Sequence, residues 1–249
     1  FNEQHVHDEE AINLLLEPMR RDATCHLTAE LADLLRPHVL FAPPAVEAAM
    51  DRINKDTMPG SNGVTVCLIC HRAWRTEMAR HISRLAQHMF HTRQLMAHMR
   101  EAIISILYKG KGLPRELLKN HRPVSLTDAC LRIIDKVIQR ALSNEVLPKV
   151  LCGINKAFLP GEFLESDALS LTESARWLDR HSGGYAAYLD ADKAYDRCLP
   201  SFLKKVLEAM QFPPEFIGIV DTIYGECWAR LKVNGHVGDA FRQHNGLRQ

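Results

Sequence analysis

The spacing of apolar residues along this chain changes between a helical period and strict alternation, and the order of these changes most constrains the fold. The run Ala102–Tyr108 is typical of a strand, and Ala229, Leu231 and Val233 alternate into Asn234-Gly235, a strong hairpin signal. Apolar residues recur at helical intervals in residues 1–43, 45–54, 75–100, 127–142, 203–210 and 216–223. Helices interleaved with strands, without internal repeats, predict an α/β or α+β domain.

The composition is that of an ordinary globular protein. The chain has 249 residues, of which 46% are hydrophobic and 24% charged, which is enough for one or two cores. Its longest apolar runs are far shorter than the roughly 20 residues that cross a bilayer, so we expect no membrane span. The chain begins with Phe1 rather than Met and shows no signal peptide. We therefore expect a piece of a longer intracellular protein.

Seven cysteines are scattered without the spacing of a disulfide framework. This usage favours a reducing compartment, either the nucleus or the cytoplasm. Cys67, Cys70 and His71 match the spacing of haem attachment or of half a zinc site. No second ligand pair follows at zinc-finger distance, and packing in a core is the plain alternative.

The basic residues are concentrated in the middle of the chain, although the net charge is only +1. Residues 72–149 contain fifteen Arg and Lys against six Asp and Glu, a net +9, so the remainder carries −8. Such a block favours a partner rich in phosphate, and solvated helix faces are the alternative. Within it, Arg132, Lys136 and Arg140 are spaced by four, so they form a cationic stripe that could follow a phosphate backbone or lie in solvent.

The segment Tyr185–Asp196 carries the clearest chemical signal. A short apolar strand places Asp190 at its carboxyl end, before a turn and a helix. A carboxylate at that position is an oxygen ligand for Mg²⁺ and suits in-line phosphoryl transfer. An EF-hand loop is excluded, because Tyr195 and Ser201 stand where Gly and Glu are needed. Two other interpretations of this segment stay open. It could belong to a phosphoaspartyl transferase, although that pattern expects Thr where this chain has Ala194. Its carboxylates could also simply cap the next helix.

The string Tyr188–Asp196 (YLDADKAYD) resembles motif A of reverse transcriptases, especially those of non-LTR (LINE-type) retrotransposons. Five further segments resemble the same family in the same order: Pro59–Val64 (PGSNGV), Ile104–Lys109 (ISILYK), His121–Leu126 (HRPVSL), Asn155–Pro160 (NKAFLP) and Asn245–Gln249 (NGLRQ). The last is similar to the opening of motif B. The resemblance implies an RNA-directed DNA polymerase with the α+β fingers and palm of the right-hand fold. It also implies an RNA template, a DNA primer and dNTPs as partners.

The resemblance further implies roles for individual residues. Asp190 matches the catalytic aspartate that binds metal, and the backbone carbonyl of Ala191 matches the oxygen beside it, in a site for two Mg²⁺ ions. Tyr195 matches the aromatic residue that lies against the sugar of the incoming nucleotide and favours dNTP. Contacts with substrate are implied for Arg122, Arg132, Lys136, Arg248 and Gln249.

One element of the family is absent from the sequence. No Asp-Asp pair occurs that could serve as motif C, which supplies the other catalytic carboxylates. Two-metal chemistry should fail without it, so we expect these 249 residues alone to be inactive, with the right-hand fold incomplete at the C-terminus. Residues 1–43 are then an upstream helical segment, 44–184 the fingers and the start of the palm, and 185–249 the palm with motif A and the beginning of motif B. A non-catalytic RNA-binding scaffold of the same type is the alternative.

Overall fold

The computed structural model describes residues 9–110, 112–151, 159–161, 164–181, 198–243 and 246. Short 3₁₀ turns lie at Ala23–Cys25 and Leu118–Asn120, and a π-helical turn at Leu142–Val146. The helices are α1 (Glu9–Arg21), α2 (Ala29–Leu34), α3 (Pro37–Leu40), α4 (Pro43–Arg52), α5 (Val66–Ile69), α6 (Arg75–Thr92), α7 (Ala97–Arg100), α8 (Ala129–Ala141), α9 (Leu147–Val150), α10 (Leu164–His181), α11 (Pro200–Ala209) and α12 (Pro214–Tyr224). The strands are β1 (Glu101–Tyr108), β2 (His121–Leu126), β3 (Cys227–Val233) and β4 (His236–Gln243).

A helical core forms around α4, α6 and α8, each of which packs on the other two. Fully buried side chains such as Met50, Ile82 and Ile133 belong to this core. Phe41 stacks on Phe90 with 5.1 Å between the ring centroids. Helices α11 and α12 pack on each other, and Phe216 joins the same core. The apolar faces predicted for residues 127–142 and 203–223 are thus the faces that are buried.

The four strands form one mixed sheet in the order β2-β1-β3-β4. β1 pairs antiparallel with β2 and parallel with β3. β3 and β4 form a hairpin across Asn234 and Gly235, whose φ angles of 50° and 84° are both left-handed, as a two-residue turn of this kind requires. The predicted strand at 102–108 and the predicted hairpin are confirmed. The described part of the chain is α+β.

Two of the predicted helices are divided in the structure. Residues 9–40 form three helices rather than one, because Thr28 caps α2 and Pro37 begins α3. The helix predicted over 75–100 ends at Arg93, which takes a left-handed φ of 55°, and α7 follows as a separate turn. Pro43 opens α4 rather than closing the segment before it.

Candidate functional site

A tight turn at residues 59–63 meets the start of α8. A Cβ atom on Gly60 would lie 2.7 Å from the carbonyl carbon and oxygen of Thr127 and 2.8 Å from the amide nitrogen of Asp128. Cβ atoms do not approach backbone so closely, so only glycine fits at this position. Gly63 closes the turn with a φ of 72°, and its N–H donates to the Gly60 carbonyl at 3.1 Å.

The Asp128 carboxylate is buried, with 1% of the residue exposed, and joins three segments of the chain. Its Oδ1 caps α8 by accepting the N–H groups of Cys130 and Leu131 at 2.7 and 3.1 Å. This places the start of the helix one residue later than the predicted N-cap. Its Oδ2 accepts a hydrogen bond from the side-chain amide of Asn62 and lies 3.7 Å from Nε2 of His98, in α7. Gly60, Asn62, His98 and Asp128 are called the Asp128 cluster below.

Arg132 connects α8 to the segment before the turn. Its guanidinium donates to the hydroxyl of Thr57 at 2.7 Å and to the carbonyl of Met58 at 2.9 Å. Burial lowers the pKa of the Arg132 guanidinium, and the nearby Asp128 carboxylate opposes this effect. Nε of Arg132 is buried and has no hydrogen-bond partner in the part of the chain that the structure describes.

The cationic stripe on α8 is not a freely solvated face. Arg132, Lys136 and Arg140 are all half-buried. Nη1 of Arg140 is buried and, among the described residues, has no hydrogen-bond partner. A buried donor without an acceptor is costly, and Arg132 and Arg140 each contain one such donor among the described residues.

The β1–β2 hairpin presents several cations at one end. Arg122 is exposed on β2, an outer strand of the sheet. Nζ of Lys109 donates to the carbonyl of Lys119 at 2.7 Å, which ties the two ends of the connection together. The Arg115 guanidinium lies 4.8 Å from the centre of the Tyr108 ring. The described residues at this end of the hairpin therefore form a surface with positive charge.

The remaining residues to which the resemblance assigns a role lie outside the described residues. They are Asp190, Ala191, Tyr195, Arg248 and Gln249. The structure therefore describes Arg122, Arg132 and Lys136 of the expected site, and it places Arg132 beside the Asp128 cluster.

Within the described ranges, no group of three or more His, Cys, Asp or Glu side chains could hold a metal ion. Cys67 is exposed whereas Cys70 is buried in the core, and burial raises the pKa of the Cys70 thiol. Of the helices in these ranges, none combines the length and the apolar character needed to cross a membrane.

Three members of the Asp128 cluster were not identified from the sequence. Asp128 carries a local signal, because Asp directly before an amphipathic helix is a favoured N-cap. Asn62 lies in the segment Pro59–Val64, but neither it nor His98 carries a signal for contact with Asp128, because these contacts join positions that are far apart in the chain. Only the fold brings these residues together.

The chain is similar to a transposon protein. It is 30% identical over 193 residues to the "Transposon TX1 uncharacterized 149 kDa protein" of Xenopus laevis. The match covers 77% of this chain and 14% of that protein, so it spans about one seventh of the relative's length. No protein-family model matches the chain. The similarity supports a transposon-related origin.

Proposed function

We propose that the chain is the fingers and the first part of the palm of an RNA-directed DNA polymerase from a non-LTR retroelement. Polymerase activity then belongs to a longer parent chain that also carries motif C. The ordered motifs of the sequence and the similarity to a transposon protein support this function.

The observation that carries the proposal is the assembly of three separate motif-like segments. Ile104–Lys109 contributes most of β1, which pairs with His121–Leu126 in β2. Pro59–Val64 packs through Gly60 on Thr127 and Asp128, the residues that directly follow β2. Segments that matched a family by chance would have no reason to form one contiguous unit.

The described cations suit the phosphate groups of template and nucleotide. Exposed Arg122 offers a planar fork of N–H donors that matches phosphate oxygens. Phosphate contacts position a nucleic acid without reading its bases, so little sequence preference is expected. The Asp190 carboxylate and the Ala191 carbonyl are oxygen donors of the kind that Mg²⁺ prefers. When bound there, Mg²⁺ supplies activation of the primer 3′-hydroxyl and neutralisation of the triphosphate.

Primer extension by the parent chain tests the proposal. With an RNA template, a labelled DNA primer, dNTPs and Mg²⁺, Asp190→Ala is expected to abolish extension. Asp239→Ala changes an exposed acid of β4 and is the matched control, expected to extend at the wild-type rate. Full activity of Asp190→Ala would remove Asp190 from the metal site. A parent chain that binds RNA but extends no primer would identify the non-catalytic scaffold instead.

Two further variants test the substrate contacts in the same assay. Tyr195→Ala is expected to raise incorporation of rNTP relative to dNTP, and an unchanged ratio would reject its assigned contact with the sugar. Arg122→Ala is expected to raise the KM for dNTP with little change in kcat. A large fall in kcat at unchanged KM would contradict a role in nucleotide binding.

A further inference from the structure

An exposed tryptophan lies where α5 is joined to α6. Trp74 directly precedes α6, and 43% of the residue is exposed, although tryptophan is highly buried on average in folded proteins. Leu68, in α5, is 54% exposed. The connection between these helices contains none of the residues to which the resemblance assigns a role. Its exposed apolar surface is therefore not explained by the proposed polymerase site.

The orientation of the Trp74 ring is fixed by local contacts. Its Nε1 donates to the carbonyl of Leu68 at 3.0 Å. The His71 ring lies against it, with 4.6 Å between the ring centroids and 32° between the ring planes. The N–H of Ala73 donates to Nδ1 of His71 at 3.3 Å, so the imidazole is also held. Trp74 and His71, called the Trp74 platform below, thus form a preorganised pair of exposed rings.

The charge next to the platform is positive. Arg72 is exposed, and among the residues that the structure describes it takes part in no ion pair or side-chain hydrogen bond. Acids that the fold brings to this end of α6 already have a partner. Arg75 donates to Glu47 at 3.2 Å and also to Asp51. Arg72 is therefore the cation that is available to an anionic partner.

The exposed face of α6 continues from the platform. Exposed residues recur along it at intervals of three and four, which places them on one line of the helix: Glu77, His81, Arg84 and His88. Glu77 is the only acid in the sequence of α6. Its carboxylate lies 2.9 Å from Nη1 of Arg80 and 3.3 Å from Nε2 of His81. The line thus presents nitrogen donors and one acid that is already engaged, which suits a polyanion.

A second pair of rings on α10 differs in its charge. Trp177 is 60% exposed and stacks on His181, with 4.6 Å between the ring centroids. The sequence of α10 contains four acids against two arginines, so a polyanion is disfavoured there. This pair has the same ring chemistry without the positive surroundings, and it provides a matched control.

We propose that the Trp74 platform and the exposed face of α6 bind single-stranded RNA, with a base stacked on the platform and Arg72 and Arg84 contacting phosphates. Only an unpaired strand can place the face of a base on a protein ring, because a duplex covers these faces. Aromatic rings combined with cations are the usual means of binding a single strand without reading its sequence. The choice of RNA over DNA rests on the proposed function, because both strands offer bases and phosphates.

Fluorescence anisotropy of labelled short oligouridine with the 249-residue chain tests this surface. Trp74→Leu is expected to raise the Kd about 5- to 150-fold, because base stacking on the ring is lost. Trp74→Phe is expected to keep most of the affinity. Both variants lose the hydrogen bond to Leu68, so a purely local structural effect would weaken binding equally in the two.

The salt dependence separates phosphate contacts from stacking. Arg72→Ala should weaken binding and lower the magnitude of the slope of log affinity against log salt concentration by about 0.7, because one phosphate contact of a single strand is lost. Trp74→Leu should leave that slope unchanged. A slope that falls for Trp74→Leu, or stays the same for Arg72→Ala, would contradict the assigned contacts.

Three further comparisons decide the proposal. Trp177→Ala should bind oligouridine as wild type does. Duplex RNA should show no loss of affinity with Trp74→Leu, since it presents no unpaired base. Equal oligouridine affinity for wild type and Trp74→Leu, or an equal loss for duplex RNA, overturns the proposal, and tighter binding of oligothymidine than of oligouridine overturns the choice of RNA. A parent chain that binds RNA through Trp74 but extends no primer would contradict the proposed function and leave this surface standing.

Discussion

Replacing Gly60 by alanine tests whether the turn at residues 59–63 is fixed by contact with the start of α8. The added Cβ would lie 2.7–2.8 Å from three backbone atoms of Thr127 and Asp128, which cannot move as a flexible side chain can. Overpacking of this kind costs about 1–3 kcal/mol. Displacement of the turn would also break the hydrogen bond from Asn62 to the buried carboxylate, and hydrogen bonds to charged groups contribute about 1.5–3 kcal/mol. We expect the free energy of unfolding to fall by about 2.5–6 kcal/mol in total.

Urea unfolding followed by circular dichroism measures this loss, and Gly63→Ala is the matched control. Gly63 has a φ of 72° but nothing within 4 Å of its Cβ position, so its substitution adds only backbone strain, about 1–2 kcal/mol. In a double-mutant cycle, Gly60→Ala and Asn62→Ala should be less than additive, because both remove the same hydrogen bond. Equal losses for the two glycine variants, or full additivity in the cycle, would refute the reasoning.

Three other side chains, Arg132, Glu47 and Cys130, give separate predictions. Arg132→Ala removes the two hydrogen bonds to the segment before the turn. It should lower the free energy of unfolding, measured by urea denaturation, by about 1–3 kcal/mol. An unchanged free energy of unfolding would show that these hydrogen bonds do not stabilise the fold. Hydrogen bonds from Thr76 and Arg75 hold the pKa of Glu47 below its ordinary value of 4.5. The folded state therefore gains stability from this carboxylate above about pH 4.5 and loses it as the pH falls through the lowered pKa. Glu47→Gln should accordingly be less stable than wild type at neutral pH, with a difference that shrinks in acid; a constant difference would contradict the assigned cause. Burial raises the pKa of Cys130 to about 12, so iodoacetamide at pH 8 should leave this thiol unmodified in the native protein, and rapid labelling seen by mass spectrometry would show that it is accessible.

Local signals in the sequence were sufficient for the elements whose ends are fixed by turn chemistry. Asn234-Gly235 predicts the β3–β4 hairpin because both residues tolerate a left-handed backbone. The amphipathic pattern of residues 127–142 predicts α8 because one face is apolar throughout. These features depend on residues that are close in the chain, so a sequence pattern can contain them.

The features that the sequence did not predict depend on tertiary contacts. No glycine marks the end of α6 at Arg93 in the sequence. The guanidinium of Arg93 lies against Gly218, which belongs to another helix, α12. The start of α8 falls at Asp128 rather than Thr127, although both residues are favoured N-caps. The choice follows the burial of the Asp128 carboxylate against Asn62, which no local pattern contains.

The structure also separates two reasons for the resemblance to reverse transcriptases. Gly60 is explained by packing alone, since a side chain at this position would collide with the backbone of Thr127 and Asp128. Glycine would be required there in a catalytic polymerase and in an RNA-binding scaffold alike. Arg122 is different, because it is exposed and contributes nothing to the helical core. Under the proposed function Arg122 contacts a bound phosphate, so variants of Arg122 report on function where variants of Gly60 report on folding.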